Sequence, residues 1–259
     1  MKDKLTIIKV GGKIVEEPDT LAALLRDFAV IDGFKLLVHG GGRSATKVAS
    51  KLGIETRMIG GRRVTDRDML DVVTMVYGGL VNKKIVAGLQ AAGVNAIGLT
   101  GADMNVILSH KRRGGEVDYG WVGDVDRVDG EALAAMIRSG VVPVIAPLTH
   151  DGNGNMLNTN ADTMAGETAK GLAGYFDVSL VFCFEKAGVL RDENDDNSVV
   201  TKITPEIYKS LRTDGVVAGG MIPKLDNAFD ALSAGVKSVI ITKAEALNDL
   251  SLGSHIVGQ

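Results

Sequence analysis

Short runs of Ile, Leu and Val alternate along the chain with longer stretches in which apolar residues return every three or four positions. The short runs are the pattern of buried strands and the longer stretches that of amphipathic helices, so their alternation predicts strands joined by crossover helices into a largely parallel sheet. The runs place strands over 5–10, 35–38, 95–99, 142–146, 178–183 and 238–242. "PDTLAALLRDFAVI" opens with Pro18, which a first helical turn tolerates, and reads as a helix. "TDRDMLDVVTMVYGGLVNKKIVAGLQAAG" predicts a long helix, from a near-capping box of Thr65 and Asp68 to a stop at Gly93. Two more helices are expected over 160–174 and 221–235. Residues 101–130 differ: alternating apolar and polar positions around "RRGGE" predict a small antiparallel hairpin insert.

At 259 residues the chain fits one continuous unit, with a break expected near residue 174 because different motifs fall on either side. An apolar fraction of 45% beside 24% charged residues is that of a globular protein and argues against disorder. Net charge is -3, and "HKRR" at 110–113 is the longest basic cluster, so there is no polyelectrolyte footprint for nucleic acid. Cys183 is the only cysteine, which excludes an internal disulfide or a cysteine-based zinc site; inside "VSLVFCF" it is expected in the core. No signal peptide pattern opens the chain, and no apolar run approaches the ~20 residues of a membrane span. A cytoplasmic protein with no membrane partner is expected.

Lys9 is the misfit in this pattern. It sits in the strand-like run "TIIKVGGKIV", where an unpaired ammonium would be costly, so an anion should meet it. Four glycine-rich elements follow strand-like runs: "KVGG" at 9–12, "HGGG" at 39–42, "TGAD" at 100–103 and "AGGMIPK" at 218–224. In an open α/β sheet such loops converge at the carboxyl ends of the strands. Backbone N–H groups there can bind phosphate or carboxylate, although glycines also serve plain strand-to-helix turns. There is no G-x-x-x-x-G-K-[ST], and no G-x-G-x-x-G after the first strand. A second lysine, Lys224, stands beside the last glycine turn. Two lysines reaching one moving phosphoryl group, with Asp162 as shared counter-ion, would suit a reaction whose catalysis is positioning and charge neutralisation.

"IIKVGG", "VHGGG", "GRRVTD", "GLTGAD", "NTNADTMAGETA" and "GGMIPK" follow one another in the order and spacing of the acetylglutamate kinases of the amino acid kinase superfamily, and this resemblance covers nearly the whole chain. It implies a three-layer α/β sandwich with a central, mainly parallel open sheet. Residues 1–174 would form a lobe binding the acyl-amino acid and carrying a dimer interface, and residues 175–259 a lobe binding ATP. It implies that Lys9 and Lys224 stabilise the transferring phosphoryl group, that Asp162 organises them, and that Gly12 and Gly41 cradle it through N–H groups. Gly41, Gly42, Arg63 and Asn158 match the binders of the acylated amino acid; a guanidinium fork suits a carboxylate bidentately.

The nucleotide side departs from the family, which shows Thr-Asp-Val-x-Gly-Val where this chain reads "FEKAGVL". Glu185 stands at the aspartate and Lys186 at the valine; the loop of Glu185, Lys186, Ala187, Gly188, Val189 and Leu190, with Val216, Val217 and Ala218, is still expected to flank the nucleotide. The implied activity is ATP-dependent phosphorylation of the γ-carboxylate of an N-acyl-L-glutamate in arginine biosynthesis, with Mg²⁺ carried by the nucleotide phosphates and no separate metal site. Arg62, where the family commonly has an apolar residue, would favour an acyl group with its own carboxylate, such as N-succinyl-glutamate; exposure of Arg62 on the other face of the strand is the alternative. Only "MKDK" precedes the first strand, whereas arginine-inhibited members carry an extra helix there, so an arginine-insensitive homodimer is expected. An acyl-aminoadipate-type kinase and a non-catalytic amino-acid or nucleotide sensor are the alternatives. His39 is expected to orient its glycine loop rather than to react, and Trp121 and the nine methionines to serve packing.

Overall fold

In the computed structural model, which describes residues 2–258, the first apolar run forms β1 (Lys4–Val10). A short α1 (Gly12–Glu16) and α2 (Pro18–Ala29) lead into β2 (Phe34–His39), α3 (Gly42–Lys51) and the tiny hairpin β3 (Met58–Ile59) and β4 (Arg62–Arg63). The long helix follows in three sections: α4 (Arg67–Val73), a π-helical stretch (Thr74–Val81) and α5 (Asn82–Ala91). Then come β5 (Ala96–Leu99), β6 (Ile107–Lys111), β7 (Gly123–Val128), α6 (Gly130–Arg138), β8 (Val142–Ile145), β9 (Leu148–His150) and β10 (Met156–Asn158). The chain ends through α7 (Ala161–Leu172), β11 (Asp177–Phe184), β12 (Lys202–Ile203), α8 (Pro205–Thr213), α9 (Met221–Ser233), β13 (Ser238–Lys243) and β14 (Ser254–Ile256).

Eight of these strands make one sheet in the order β12-β14-β13-β11-β1-β2-β8-β5, parallel except where β14 meets β13. β1 lies at its centre, paired with β2 on one side and β11 on the other, so the chain reverses its direction of winding there and a crevice opens at the carboxyl ends. The strands on the β2 side precede residue 174 and those on the β11 side follow it, yet the ladder is continuous across the division.

Strand alternation sorts the core into two layers. Leu5, Ile7, Leu36, Val38, Leu180 and Phe182 face α6, α7, α8 and α9, whereas Ile8, Val10, Leu37, Val181 and Cys183 face α2 to α5. These are the two outer layers of an α/β sandwich.

The expected antiparallel hairpin is present as β6 and β7, and β9 and β10 extend it into a four-stranded sheet that the two short later strands did not announce. One sequence expectation is corrected. The long helix is capped by Asp66, whose Oδ1 accepts from Met69 N at 2.8 Å, and not by Thr65. Thr65 is buried and its hydroxyl is committed to Asn158 and to the Arg63 carbonyl. From Arg67 to Ala91 this helix is long and apolar enough to cross a membrane, but Met69, Val72, Val73, Val76, Ile85 and Leu89 are buried in the core, which explains its composition.

Candidate active site

Alternation along β1 decides where Lys9 goes. As an odd position it shares the face of Leu5 and Ile7 and turns toward α7 and α9, at the carboxyl end of the sheet. There α7 begins. Asn160 caps it, with Oδ1 accepting from Asp162 N at 2.9 Å and Thr163 N at 3.0 Å, and this holds Asp162 in the first turn, where the helix dipole favours a carboxylate. Lys9 Nζ stands 2.7 Å from Asp162 Oδ1 as an ion pair. Lys224, in the first turn of α9, donates to Asp162 Oδ2 at 2.7 Å, its ammonium also lying over the rings of Phe182 and Phe184 at 5.3 and 5.8 Å. The structure thus brings together three residues separated by up to 215 positions of sequence (224 minus 9).

The electrostatics follow from burial and these contacts. Burial alone would raise the Asp162 carboxyl, but the Lys9 and Lys224 ammonium groups outweigh it and hold Asp162 well below the usual carboxylate range. Burial, and then the Lys9 charge, lower Lys224 below an ordinary lysine, despite Asp162. One carboxylate cannot neutralise two ammonium groups, so the cluster keeps a net positive charge facing the crevice.

Beside it the two glycine turns touch. Gly11 N–H donates to Cys183 O at 3.0 Å and Gly40 N–H to Val10 O at 2.9 Å, which pins both turns to neighbouring strands. A Cβ built on Gly12 would stand 3.6 Å from the nitrogens of Gly41 and Gly42. On Gly41 it would come within 2.8 Å of the Tyr77 ring, closer than packing allows, so only glycine fits there.

From these turns a cavity of about 180 Å³ runs beneath the β3–β4 hairpin, lined among others by Gly41, Gly42, Arg62, Arg63, Tyr77 and Asn158. Arg63 is 7% exposed; its Nη2 donates to Gly42 O at 2.7 Å and Thr46 Oγ1 at 2.9 Å, and its Nη1 to Thr56 Oγ1 at 3.2 Å and Met69 Sδ at 3.8 Å. Its buried Nε has no partner among the described residues. The guanidinium therefore braces the glycine turn and keeps one donor for an anion, a different use from the free two-pronged fork expected. Asn158 donates from Nδ2 to Thr65 Oγ1 at 2.9 Å. Arg62 lines the same cavity although it neighbours Arg63 on β4; burial and the nearby Arg112 lower its pKa.

On the β11 side of the sheet, Glu185 and Lys186 are exposed at the end of β11 and Ala187 is half-buried, while Gly188, Val189 and Leu190 are buried. Val189 N–H donates to Ser254 Oγ at 2.9 Å and Val200 N–H to Val189 O at 2.8 Å, so this part of the loop is pinned to the sheet edge. Val217 is also core, with Val216 half-buried and Ala218 exposed before α9. Among the expected nucleotide residues, then, only Glu185 to Ala187, Val216 and Ala218 present side chains outward. Cys183 is buried, its thiol pushed up to about 12 by burial. Tyr77 and Asn82 were missed by the sequence reading; the signal present was "YGG" inside a helical pattern, a pair of glycines that an ordinary helix disfavours.

An open, mainly parallel sheet with two lysines clustered on one aspartate, opposite glycine turns and an arginine-braced cavity, defines an enzyme that handles transferable anions. The chain belongs to the amino acid kinase family, whose model matches residues 4–243. It is 69% identical over 249 residues to an acetylglutamate kinase of Phocaeicola vulgatus, covering 96% of this chain and 97% of that protein. It is 56% identical to one of Cytophaga hutchinsonii, covering 98% and 97%. Among solved structures, N-acetylglutamate synthase from Neisseria gonorrhoeae, complexed with coenzyme A and N-acetyl-glutamate, superposes with a TM-score of 0.84 at 20% identity over 98% of this chain and 59% of that one. Carbamate kinase from Giardia lamblia bound to AMP-PNP superposes at 0.68 and 16% identity over 99% of each. At these identities the two structures speak to the fold alone.

Proposed function

We propose that this chain transfers the γ-phosphoryl group of ATP to the γ-carboxylate of N-acetyl-L-glutamate, giving the acyl phosphate and ADP, a step of arginine biosynthesis. The observation that carries the reading is the Lys9–Asp162–Lys224 cluster at the carboxyl end of the sheet, beside two glycine turns. Lys9 and Lys224 neutralise charge on the phosphoryl group in flight, while Gly12 and Gly41 offer it N–H groups. Asp162 keeps both ammonium groups aimed and takes no proton. Gly41, Gly42, Arg63 and Asn158 seat the acyl-amino acid in the cavity. The 175–259 lobe holds ATP along the Glu185–Leu190 loop and Val216–Ala218, the buried members acting through their backbone. The Mg²⁺ of this reading rides on the nucleotide phosphates.

The test is ADP release with ATP and Mg²⁺ on N-acetyl-glutamate, N-succinyl-glutamate, free glutamate and an acyl-aminoadipate. Turnover with an acyl-glutamate, lost in Lys224→Ala with folding intact, is the expected result; preference for free glutamate refutes it. Arg62 supports a second acyl choice, N-succinyl, because it lines the cavity and forms no ion pair among the described residues. Equal kinetics on both acyl-glutamates, unaffected by Arg62→Ala, overturn that choice. Leu80 and Met75 on the long helix and Ile97 on edge strand β5 are exposed, which supports a homodimer of this cytoplasmic enzyme through the first lobe. Arginine-insensitive activity from a dimer in light scattering is expected, and a hexamer or arginine inhibition refutes it.

A further inference from the structure

The long helix changes period where it passes under the glycine turn. Asn82 N–H donates to Tyr77 O, five residues back, at the end of the π-helical stretch Thr74–Val81. In an α-helix, residues five apart lie about 140° around the axis from one another, so one would face away from the turn. The wider π coil stacks them on one side, and both reach the same loop. Tyr77 packs against Gly41, as its closeness to a Cβ built there shows. Asn82 Nδ2 donates to Val144 O at 2.9 Å and to His39 Nε2 at 3.1 Å, and His39 Nδ1 donates to Gly40 O at 2.7 Å.

The direction of each bond is fixed by chemistry. The Val144 carbonyl can only accept, which sets the orientation of the Asn82 amide. The amide then offers its second N–H to Nε2, leaving the imidazole proton on Nδ1, directed at the Gly40 carbonyl. That carbonyl belongs to the peptide that ends in the Gly41 N–H, and in a planar trans peptide the two point opposite ways. His39 and Asn82 are 0% and 1% exposed, so water does not compete for these bonds. Burial also brings His39 down to about 4, against a smaller opposing effect of Gly40, so the ring stays neutral.

We propose that Asn82 is a positioning residue: through the tautomer of His39 and the Gly40 carbonyl, it aims the Gly41 N–H into the cavity. The π-helical stretch is the means of bringing it there. The inference rests on the reading that the Gly41 N–H meets the transferring anion. Imidazole ¹⁵N NMR of the full chain is expected to show His39 as the Nδ1–H tautomer, and Asn82→Ala to convert it to a mixture. In the ADP-release assay Asn82→Ala lowers kcat by about 10²-fold, the scale of a small misplacement at a reacting centre, with KM for ATP within about threefold. His39→Leu does the same. His39→Asn, whose amide can replace Nδ1–H, keeps most of kcat and makes it insensitive to a second Asn82→Ala change. Nε2–H in the wild type, or a folded Asn82→Ala with wild-type kcat, overturns the inference. If the wild type turns over no acyl-glutamate, the functional reading fails instead, and the tautomer measurement still decides whether Asn82 sets the ring.

Discussion

Asp162→Asn keeps the shape of the side chain at the centre of the lysine cluster and removes its charge. Two ammonium groups each 2.7 Å from an oxygen of the same carboxylate lie within roughly 7 Å of one another, so with a neutral bridge they repel by about 2–3 kcal/mol at an effective dielectric near 20. Breaking a buried ion pair by removing one partner costs ~3–5 kcal/mol, the same scale. At about 2–4 °C per kcal/mol for a chain of this size, Tm should fall by roughly 6–20 °C. Its pH dependence follows from the depressed Asp162 pKa. The folded carboxyl lies well below the unfolded value, so the wild type keeps this stabilisation above the ordinary carboxylate range and loses it progressively as pH falls from that range toward the depressed one. The Tm gap is therefore flat from neutral to mildly acidic pH and begins to close below about pH 4. It also narrows at alkaline pH, where the variant relieves the repulsion by shedding a proton from one lysine. Calorimetry over a pH series measures the gap, and ADP release measures the accompanying loss in kcat, about 10²–10³-fold. A variant with wild-type Tm and kcat at pH 7 refutes the reasoning, because two buried ammonium groups would then need no counter-ion.

Lys224→Met removes an ammonium whose burial lowers its pKa and leaves Lys9 and Asp162 as a matched pair, so Tm should hold or rise while kcat falls about 10²–10³-fold; calorimetry and turnover separate the two effects. In the wild type the same lowered pKa places the alkaline fall in kcat at lower pH than an ordinary lysine would, and a pH–rate profile locates it. Arg63→Lys loses the bonds to Gly42, Thr46 and Thr56 and the open Nε donor, and should raise KM for the acyl-glutamate by about 10–100-fold in steady-state kinetics. Asp66→Ala removes the N-cap of the long helix and should cost ~1 kcal/mol, read in a denaturant titration, with kcat unchanged.

Much of this architecture is legible in the chain because burial on both faces leaves unmistakable apolar runs. The six expected strands appear as β1, β2, β5, β8, β11 and β13 with ends within a residue or two, and Lys9 is conspicuous because it breaks one of those runs. Its partners are legible for a related reason: Asp162 and Lys224 each sit in the first turn of a helix with a readable start. The two- and three-residue strands β3, β4, β9, β10, β12 and β14 leave too few positions for any period to show. Thr65 reads as a helix cap because cap chemistry is local, but its hydroxyl is claimed by Asn158, 93 residues away, and the neighbouring Asp66 takes the cap.

The π-helical stretch is hidden for a different reason. In "TMVYGGLV" nearly every position is apolar or glycine, so a 3.6-residue period and a wider one fit equally well, and no polar face marks the turn of the helix. Yet that choice of period decides which residues meet the His39–Gly42 turn. Read as an α-helix, Tyr77 and Asn82 belong to different faces, and Asn82 joins Lys83 and Lys84 as part of a polar patch. Read as a π-helix, Asn82 becomes a buried amide committed to His39 and Val144, in the layer beneath the glycine turn. Two adjacent glycines, Gly78 and Gly79, are the local trace of the change, since they weaken the α-helix where the wider coil is needed. The residues proposed to act on the anion are thus marked by charge and by glycine, whereas those proposed to aim them are marked only by a backbone period, which emerges once the helix is packed against the sheet.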